Sequence, residues 1–156
     1  MEAVAKVLAI YVSPKRLAPM EARDSVRAVA GTGIEGDHRF DPTGEIAKKK
    51  GPGREITLIE IEAVEAVFRD YKIQLGADQT RRNVITRGIA LNHFIGKEFR
   101  VGDLRLQGVE LCEPCARLES MTQKGVKEAL IHRGGIRARI LEGGTLRVGD
   151  AIGYQV

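Results

Sequence analysis

Two cysteines, separated by two residues, are the only thiols in the 156-residue sequence. They stand as Cys112-Glu113-Pro114-Cys115, and the stretch that contains them, Arg81–Glu119, opens on the cationic cluster Arg81-Arg82-Asn83. Pro is favoured in the first turn of a helix, so Pro114 predicts a short helix through Ala116-Arg117-Leu118-Glu119 with Cys115 at its N-terminus. Unsatisfied N–H groups and the helix dipole favour a thiolate there, and Arg117 adds positive potential. Such a thiolate is a nucleophile, a soft metal ligand or an acceptor for a transferred sulfur atom.

Three other readings of the pair stand beside this one. A C-x-x-C pair is also a thioredoxin-type redox motif, but that motif belongs near the start of a βαβ unit, and here it comes late in a β-rich chain. Structural zinc needs four ligands, which Cys112 and Cys115 could supply with two of His38, His93 and His132. The histidines lack the short spacing of a zinc motif. Cys112 ends an apolar run and reads as a buried small hydrophobe.

Cations are placed to meet an anion. Guanidinium forks bind phosphate or carboxylate bidentately, and alternation along a strand would turn only one of Arg81 and Arg82 into a pocket. Asn83 adds an amide. His132-Arg133-Gly134-Gly135-Ile136-Arg137 joins cations to a glycine pair that permits close backbone approach. Asp37 and His38 end the glycine-rich run Gly31-Thr32-Gly33-Ile34-Glu35-Gly36 and are candidate functional groups on a loop. His93 lies between apolar residues and reads as structural. The triplet Lys48-Lys49-Lys50 reads as a solvated face.

These residues need a scaffold, and composition bounds it. With 43% hydrophobic and 29% charged residues, the chain is of the globular class and fits a single domain over 1–156. A formal charge of +4 suits an anionic ligand. Nucleic acid is disfavoured, because Lys and Arg are scattered and aromatics make up only 4%. No apolar run reaches the ~18 residues of a membrane helix, and Ala3–Val12 lacks the pattern of a signal peptide. Two cysteines make no disulfide framework, so a cytoplasmic location is expected.

Short β-branched runs separated by turn residues predict a mainly β fold. Val4–Ser13, Ser25–Val29, Arg82–Thr86, Glu98–Val101, Leu104–Cys112, Ile136–Leu141, Thr145–Val148 and Ala151–Val156 read as strands. Residues 14–25 and 41–53 read as loops, the second mobile. Thr57-x-x-Glu60 has the form of a capping box, and Leu58, Ile61, Val64, Phe68 and Tyr71 follow at helical spacing, which predicts one long covering helix. Val126–Arg133 reads as a short helix stopped by Gly134-Gly135. Phe99-Arg-Val-Gly-Asp-Leu recurs as Leu146-Arg-Val-Gly-Asp-Ala, a repeated turn signal. Short strands, one covering helix and many turns predict a closed or nearly closed β-barrel.

Beyond these patterns the sequence resembles a known family. The pieces are GIEGDHR at Gly33–Arg39, REITLIE at Arg54–Glu60, and the long run from Arg81 to Cys115. HRGGIRARIL at His132–Leu141 and GGTLRVGDAI at Gly143–Ile152 complete it. Together they resemble the MOSC domain, named for the C-terminal domain of molybdenum-cofactor sulfurase, in its stand-alone bacterial and archaeal form. The resemblance runs over roughly residues 5–155, and the Pro-Cys pair sits where the family's signature cysteine belongs.

The resemblance implies a barrel with Greek-key connections. It implies that Cys115 is the family cysteine, a sulfur carrier or, as in related reductases, a protein ligand to molybdenum. The pterin of a molybdenum cofactor carries a phosphate, which makes Arg82, Asn83, Arg117, His132, Arg133 and Arg137 the cofactor-binding candidates. Asp37 and His38 would line the same pocket, either as a proton donor and acceptor pair or as groups that orient the residues in contact with the cofactor. Family reductases of N-hydroxylated bases draw electrons from a partner or an appended iron–sulfur domain. No such cysteine set occurs here, so an electron-donor protein would be needed. The sequence begins at its first strand, with no room for the sulfurase's pyridoxal-phosphate domain. A sulfur donor such as a cysteine desulfurase is therefore the expected partner, with a molybdenum enzyme as recipient. The activity implied is sulfurtransferase-like or that of a molybdenum-dependent reductase component. The alternative from another class is a non-catalytic module for a phosphorylated small molecule or nucleic acid, with Cys115 incidental.

Overall fold

A computed structural model describes residues 5–154. Val4, at the start of the expected first strand, and Gln155 and Val156, at the end of the last, lie outside the described residues. β1 (Lys6–Val12), β2 (Glu21–Arg23), β3 (Ser25–Val29) and β4 (Gly33–Ile34) precede the short helix α1 (Glu45–Lys50). β5 (Ile56–Glu60) runs directly into α2 (Ile61–Tyr71). β6 (Val84–Arg87), β7 (Glu98–Val101) and β8 (Leu104–Leu111) lead to α3 (Ala116–Met121) and α4 (Val126–Ala129). β9 (Ile136–Glu142), β10 (Gly144–Arg147) and β11 (Ile152–Tyr154) follow.

The fold is mainly β, with a large mixed sheet and few short helices. Its order is β11-β7-β8-β9-β5-β6-β1-β2, and β10-β3-β4 form a second, three-stranded sheet. Among the strand ladders of the described residues, only β5 and β6 pair in parallel, joined through α2, because a parallel pair needs a long crossover. The ladders leave β11 and β2 as sheet ends, so the closed barrel and Greek-key connections expected from the sequence are not established by them. The start of β1 does meet the chain entering β11. Lys6 and Ala151 form an isolated bridge, flanked by Val7 N–H donating to the Asp150 carbonyl at 2.9 Å.

Period-two alternation sorts side chains into two cores. Leu58 and Val84 enter one with Val7, Ile10, Phe99 and Leu106, while their neighbours Ile59 and Ile85 enter the other beneath α2, α3 and α4. A strand buried on both faces reads as a continuous apolar run, and β5 is buried over Ile56, Thr57, Leu58 and Ile59. That run corrects the expected capping box. Thr57 is a strand residue, and Glu60, in extended conformation, is the helix N-cap without a side-chain capping bond. α2 therefore begins at Ile61 and buries Ala63, Val64, Ala66 and Val67, whereas Phe68 and Tyr71 remain 50% and 42% exposed.

Other boundaries shift for local reasons. The expected loop 14–25 contains β2, which pairs with β1 from Ile10 to Val12. The expected loop 41–53 contains α1, and α4 stops at Ala129 rather than Arg133. The repeated Gly-Asp signal marks two turns that meet. Gly102-Asp103 closes the β7–β8 hairpin, and Gly102 N–H donates to the Ala151 carbonyl at 2.8 Å.

The glycine pair before β9 is required by packing. Gly135 has a φ of 98°, and a Cβ there would collide with the Leu58 carbonyl oxygen; at Gly134 it would lie 2.6 Å from the Cys112 oxygen. Gly135→Ala should lower the unfolding free energy by about 3 kcal/mol or more in urea titration, because backbone clash adds to the positive φ. Gly96→Ala, with φ 77° but open space around it, should cost only about 1–2 kcal/mol.

Candidate functional site

The end of β8, the start of α3, the Asp37 loop and residues 13–20 surround one cavity of about 200 Å³. At its buried base lie Arg82, Asn83, Thr57 and Cys112. Cys115, Arg117, Leu118 and Met121 form the α3 side, facing a strap that carries Arg16, Leu17 and Met20. Asp37, His38, Arg39, Arg81 and Arg137 also line it. Six arginines against Asp37 and Glu113 give the cavity a strong positive bias.

These arginines divide by what they hold. Arg82 is 8% exposed and donates three bonds to backbone carbonyls: Nε to Gly134 at 2.8 Å, Nη1 to Thr80 at 3.1 Å and Nη2 to Cys112 at 2.9 Å. Burial pushes its pKa below the usual arginine value, and carbonyl dipoles are what keep the cation in place. Arg81 pins the strap, through Nη1 to Ala18 O at 2.7 Å and Nη2 to Ser13 Oγ at 3.2 Å. Both arginines thus reach the cavity, where the sequence predicted one. Strand alternation does not apply, since Arg81 sits at φ 60° before β6 begins at Val84.

Arg39 and Arg137 are freer. Arg137 Nη1 is buried without a hydrogen-bond partner, and Arg137 Nε lies 3.7 Å from Glu110 Oε1. The pKa of Arg39 is lowered, first by desolvation and then by the charges of Arg137 and Arg54. Neighbouring cations that raise each other's energy, one with an unsatisfied donor, provide the donor set of an oxyanion site. Arg39 was not among the sequence candidates, although it directly follows Asp37-His38.

The expected acid and base are tied into the loop. Asp37 is 9% exposed, and its Oδ1 accepts Ser13 N–H at 2.8 Å while Oδ2 accepts Arg39 N–H at 3.1 Å. His38 Nδ1 lies 3.2 Å from Ser13 O. A carbonyl only accepts, so that bond assigns a proton to Nδ1; in the neutral tautomer it selects, Nε2 is the acceptor. Asn83 is a structural brace: its Oδ1 accepts Thr57 N–H at 3.1 Å, and its Nδ2 donates to Tyr11 O at 3.1 Å.

His132 and Arg133 do not line the cavity. His132 is bound to Glu113, with N–H to Oε1 at 2.7 Å and Nδ1 to Oε2 at 2.6 Å. Arg133 donates to Ala129 O and to Asp70, beside the Tyr71 ring. The left-handed φ of 63° at His132 turns this segment away, which its charge and glycine content did not reveal.

The two thiols differ in setting. Cys115 is exposed and is the N-cap of α3, with no side-chain capping bond. Pro114 lies one residue before the cap, not inside the first turn as the sequence predicted. Cys112 is 3% exposed. The two are free, not joined as a disulfide. Among the described residues no group of three or more His, Cys, Asp or Glu side chains converges, so the four-ligand zinc arrangement is not formed by them.

A mainly β scaffold carrying an exposed thiol on a cationic cavity defines the class, and similarity narrows it. Residues 46–153 match the MOSC domain. The chain belongs to the MOSC domain family. Among solved structures, the YUAD protein from Bacillus subtilis aligns with a TM-score of 0.76 at 17% identity, over 98% of each chain. YiiM from Geobacillus stearothermophilus aligns at 0.68 and 13%, covering 95% of this chain and 73% of that one. YiiM from Escherichia coli gives 0.68 and 16%, over 97% and 70%. At such identities these likenesses concern the fold. No curated protein sequence matches.

Arg82→Gln should lower unfolding free energy by about 2–4 kcal/mol, because carbonyls of Thr80, Cys112 and Gly134 lose charged donors. Arg117→Gln, which removes an exposed side chain, should stay within about 0.5 kcal/mol of the parent. Urea titration of both variants checks the division between clasp and free cation.

Proposed function

We propose that the protein carries sulfur for, or holds, a molybdenum cofactor through the Cys115 thiol. The observation that carries the reading is the exposed, uncapped Cys115 on a cavity also lined by Arg39, Arg117 and Arg137, the last with an unpartnered buried Nη1. Membership of the MOSC family supports it.

The donor chemistry bears on how such a cofactor would be held. No three protein side chains gather for a metal among the described residues, so a metal would have to arrive with most of its own ligands and take one soft protein donor. Cys115 would be that donor, and Arg39, Arg117 and Arg137 would bind a phosphate. A molybdenum cofactor bound there would supply two-electron redox chemistry. Size separates the two versions. The cavity of about 200 Å³ falls below the ~300–1,000 Å³ of sites that enclose a drug-sized ligand. It suits one anionic end or a persulfide terminus, which favours the sulfur-carrier version.

In that version the Cys115 thiolate attacks the outer sulfur of a donor's persulfide. A new S–S bond forms on Cys115, the donor's S–S bond breaks, and the donor leaves as a thiolate. No net oxidation occurs. The Cys115 proton passes to solvent or to the free Nε2 of His38, and the cations stabilise the resulting anions. The donor is a separate protein of the cysteine desulfurase type, and the recipient a molybdenum enzyme. Among the described residues no helix is long and apolar enough to cross a membrane.

Incubation with a cysteine desulfurase and cysteine, followed by mass spectrometry, tests this. The parent should gain about 32 Da on the peptide bearing Cys115, and Cys115→Ala should lose at least ~90% of the adduct. Equal labelling of Cys115→Ala, or no adduct together with no molybdenum in protein from a molybdate-supplied host, would contradict the proposal.

A further inference from the structure

The sulfur-carrier reading leaves Cys112 idle, although it shares a cavity with Cys115. Its side chain is 3% exposed, and its backbone is held at both polar groups. Cys112 N–H donates to Gly135 O at 2.8 Å, and Cys112 O accepts from Arg82 Nη2 at 2.9 Å. The absence of a side chain at Gly134 lets that turn pack on the same carbonyl. Residues 112–115 lie outside helix and strand, and Cys115 Sγ makes no capping bond. Pro114 has no N–H to anchor the segment. One thiol is fixed at the cavity base. The other ends a short segment outside any ladder, tied through the Glu113 side chain to His132.

We infer that Cys112 is the resolving thiol for a persulfide on Cys115, turning carried sulfane sulfur into free hydrosulfide. The inference rests on the sulfur-carrier reading. The Cys112 thiolate attacks Sγ of Cys115, and the bond from that Sγ to the outer sulfur breaks. Hydrosulfide leaves with the electron pair and takes a proton, while a Cys112–Cys115 disulfide forms. The outer sulfur gains two electrons, and the two cysteines lose them. An external dithiol returns the pair to its reduced state. The leaving group is an anion, and Arg39, Arg82 and Arg137 border the cavity in which it forms. A single-cysteine carrier, by contrast, could release sulfur only to an outside nucleophile.

Cleavage after Arg105 and Arg117 leaves both cysteines in one peptide, residues 106–117, so both states are read together. After loading by a cysteine desulfurase and removal of the donor, the parent peptide should pass from about 32 Da heavier to about 2 Da lighter than the dithiol. About one equivalent of hydrosulfide should appear. Cys112→Ala and Cys112→Ser should keep the adduct and release hydrosulfide at least ~10-fold more slowly. Release as fast as the parent in either variant, or decay of the parent adduct without disulfide, overturns the inference.

A second arm needs no loading. In dithiothreitol redox buffers the parent peptide should form its internal disulfide, and persistence as a dithiol at every ratio overturns the inference alone. A disulfide in the buffers with no persulfide in any loading trial would instead contradict the sulfur-carrier reading, and the resolving role with it.

Discussion

The site depends on a buried cation held by backbone oxygen. Arg82 gathers the carbonyls of Thr80, Cys112 and Gly134, which come from three separate segments of the chain. Desolvating a guanidinium costs several kcal/mol, and three charged bonds at about 1.5–3 kcal/mol each offset it. The net contribution is modest while the geometric constraint is strong. Without that guanidinium, nothing described satisfies the Cys112 and Gly134 oxygens from the same side. The clasp sets where β8 ends, and with it where Cys115 begins α3.

From this constraint follows a division of labour. Arg81 and Asp37 hold the Ser13 strap, Asn83 and Thr57 join β5 to β6, and Glu113 is occupied by His132. Arg39, Arg117 and Arg137 are left with charge to share. The position of the thiol among them matters more than the length of its helix. α3 has six residues, so dipole effects are confined to its single full turn and add little beyond the nearby side-chain charges.

Much of the scaffold could be read from the sequence. Period-two runs marked the strands of the large sheet apart from β2 and β5, and the Gly-Asp echo marked two turns. The α2 boundary could not, because β5 is buried on both faces and its apolar run merges with the helical one at Glu60. Whether the ladders close is a long-range matter that local patterning does not encode. At the site, Asp37, His38, Arg82, Asn83, Cys115, Arg117 and Arg137, all singled out by residue type, line one cavity. Residue type did not distinguish a cation clasped by backbone carbonyls from one with an unpartnered donor, so Arg82 and Arg137 looked alike. His132 and Arg133 had the right chemistry, but one left-handed residue directs them elsewhere. Arg39 was hidden because nothing local announces that its loop folds over the end of β8.

If Arg39 and Arg137 draw anions to the cavity they share with Cys115, the thiol should discriminate between alkylating reagents by charge. Competing alkylation by iodoacetate and iodoacetamide at low salt measures that discrimination directly. Cys115 should favour the anionic reagent at least ~5-fold more than free cysteine does, with the preference lost in high salt and in the Arg39→Gln/Arg137→Gln variant. A reagent ratio equal to that of free cysteine, unchanged by salt or by the two substitutions, would contradict that expectation.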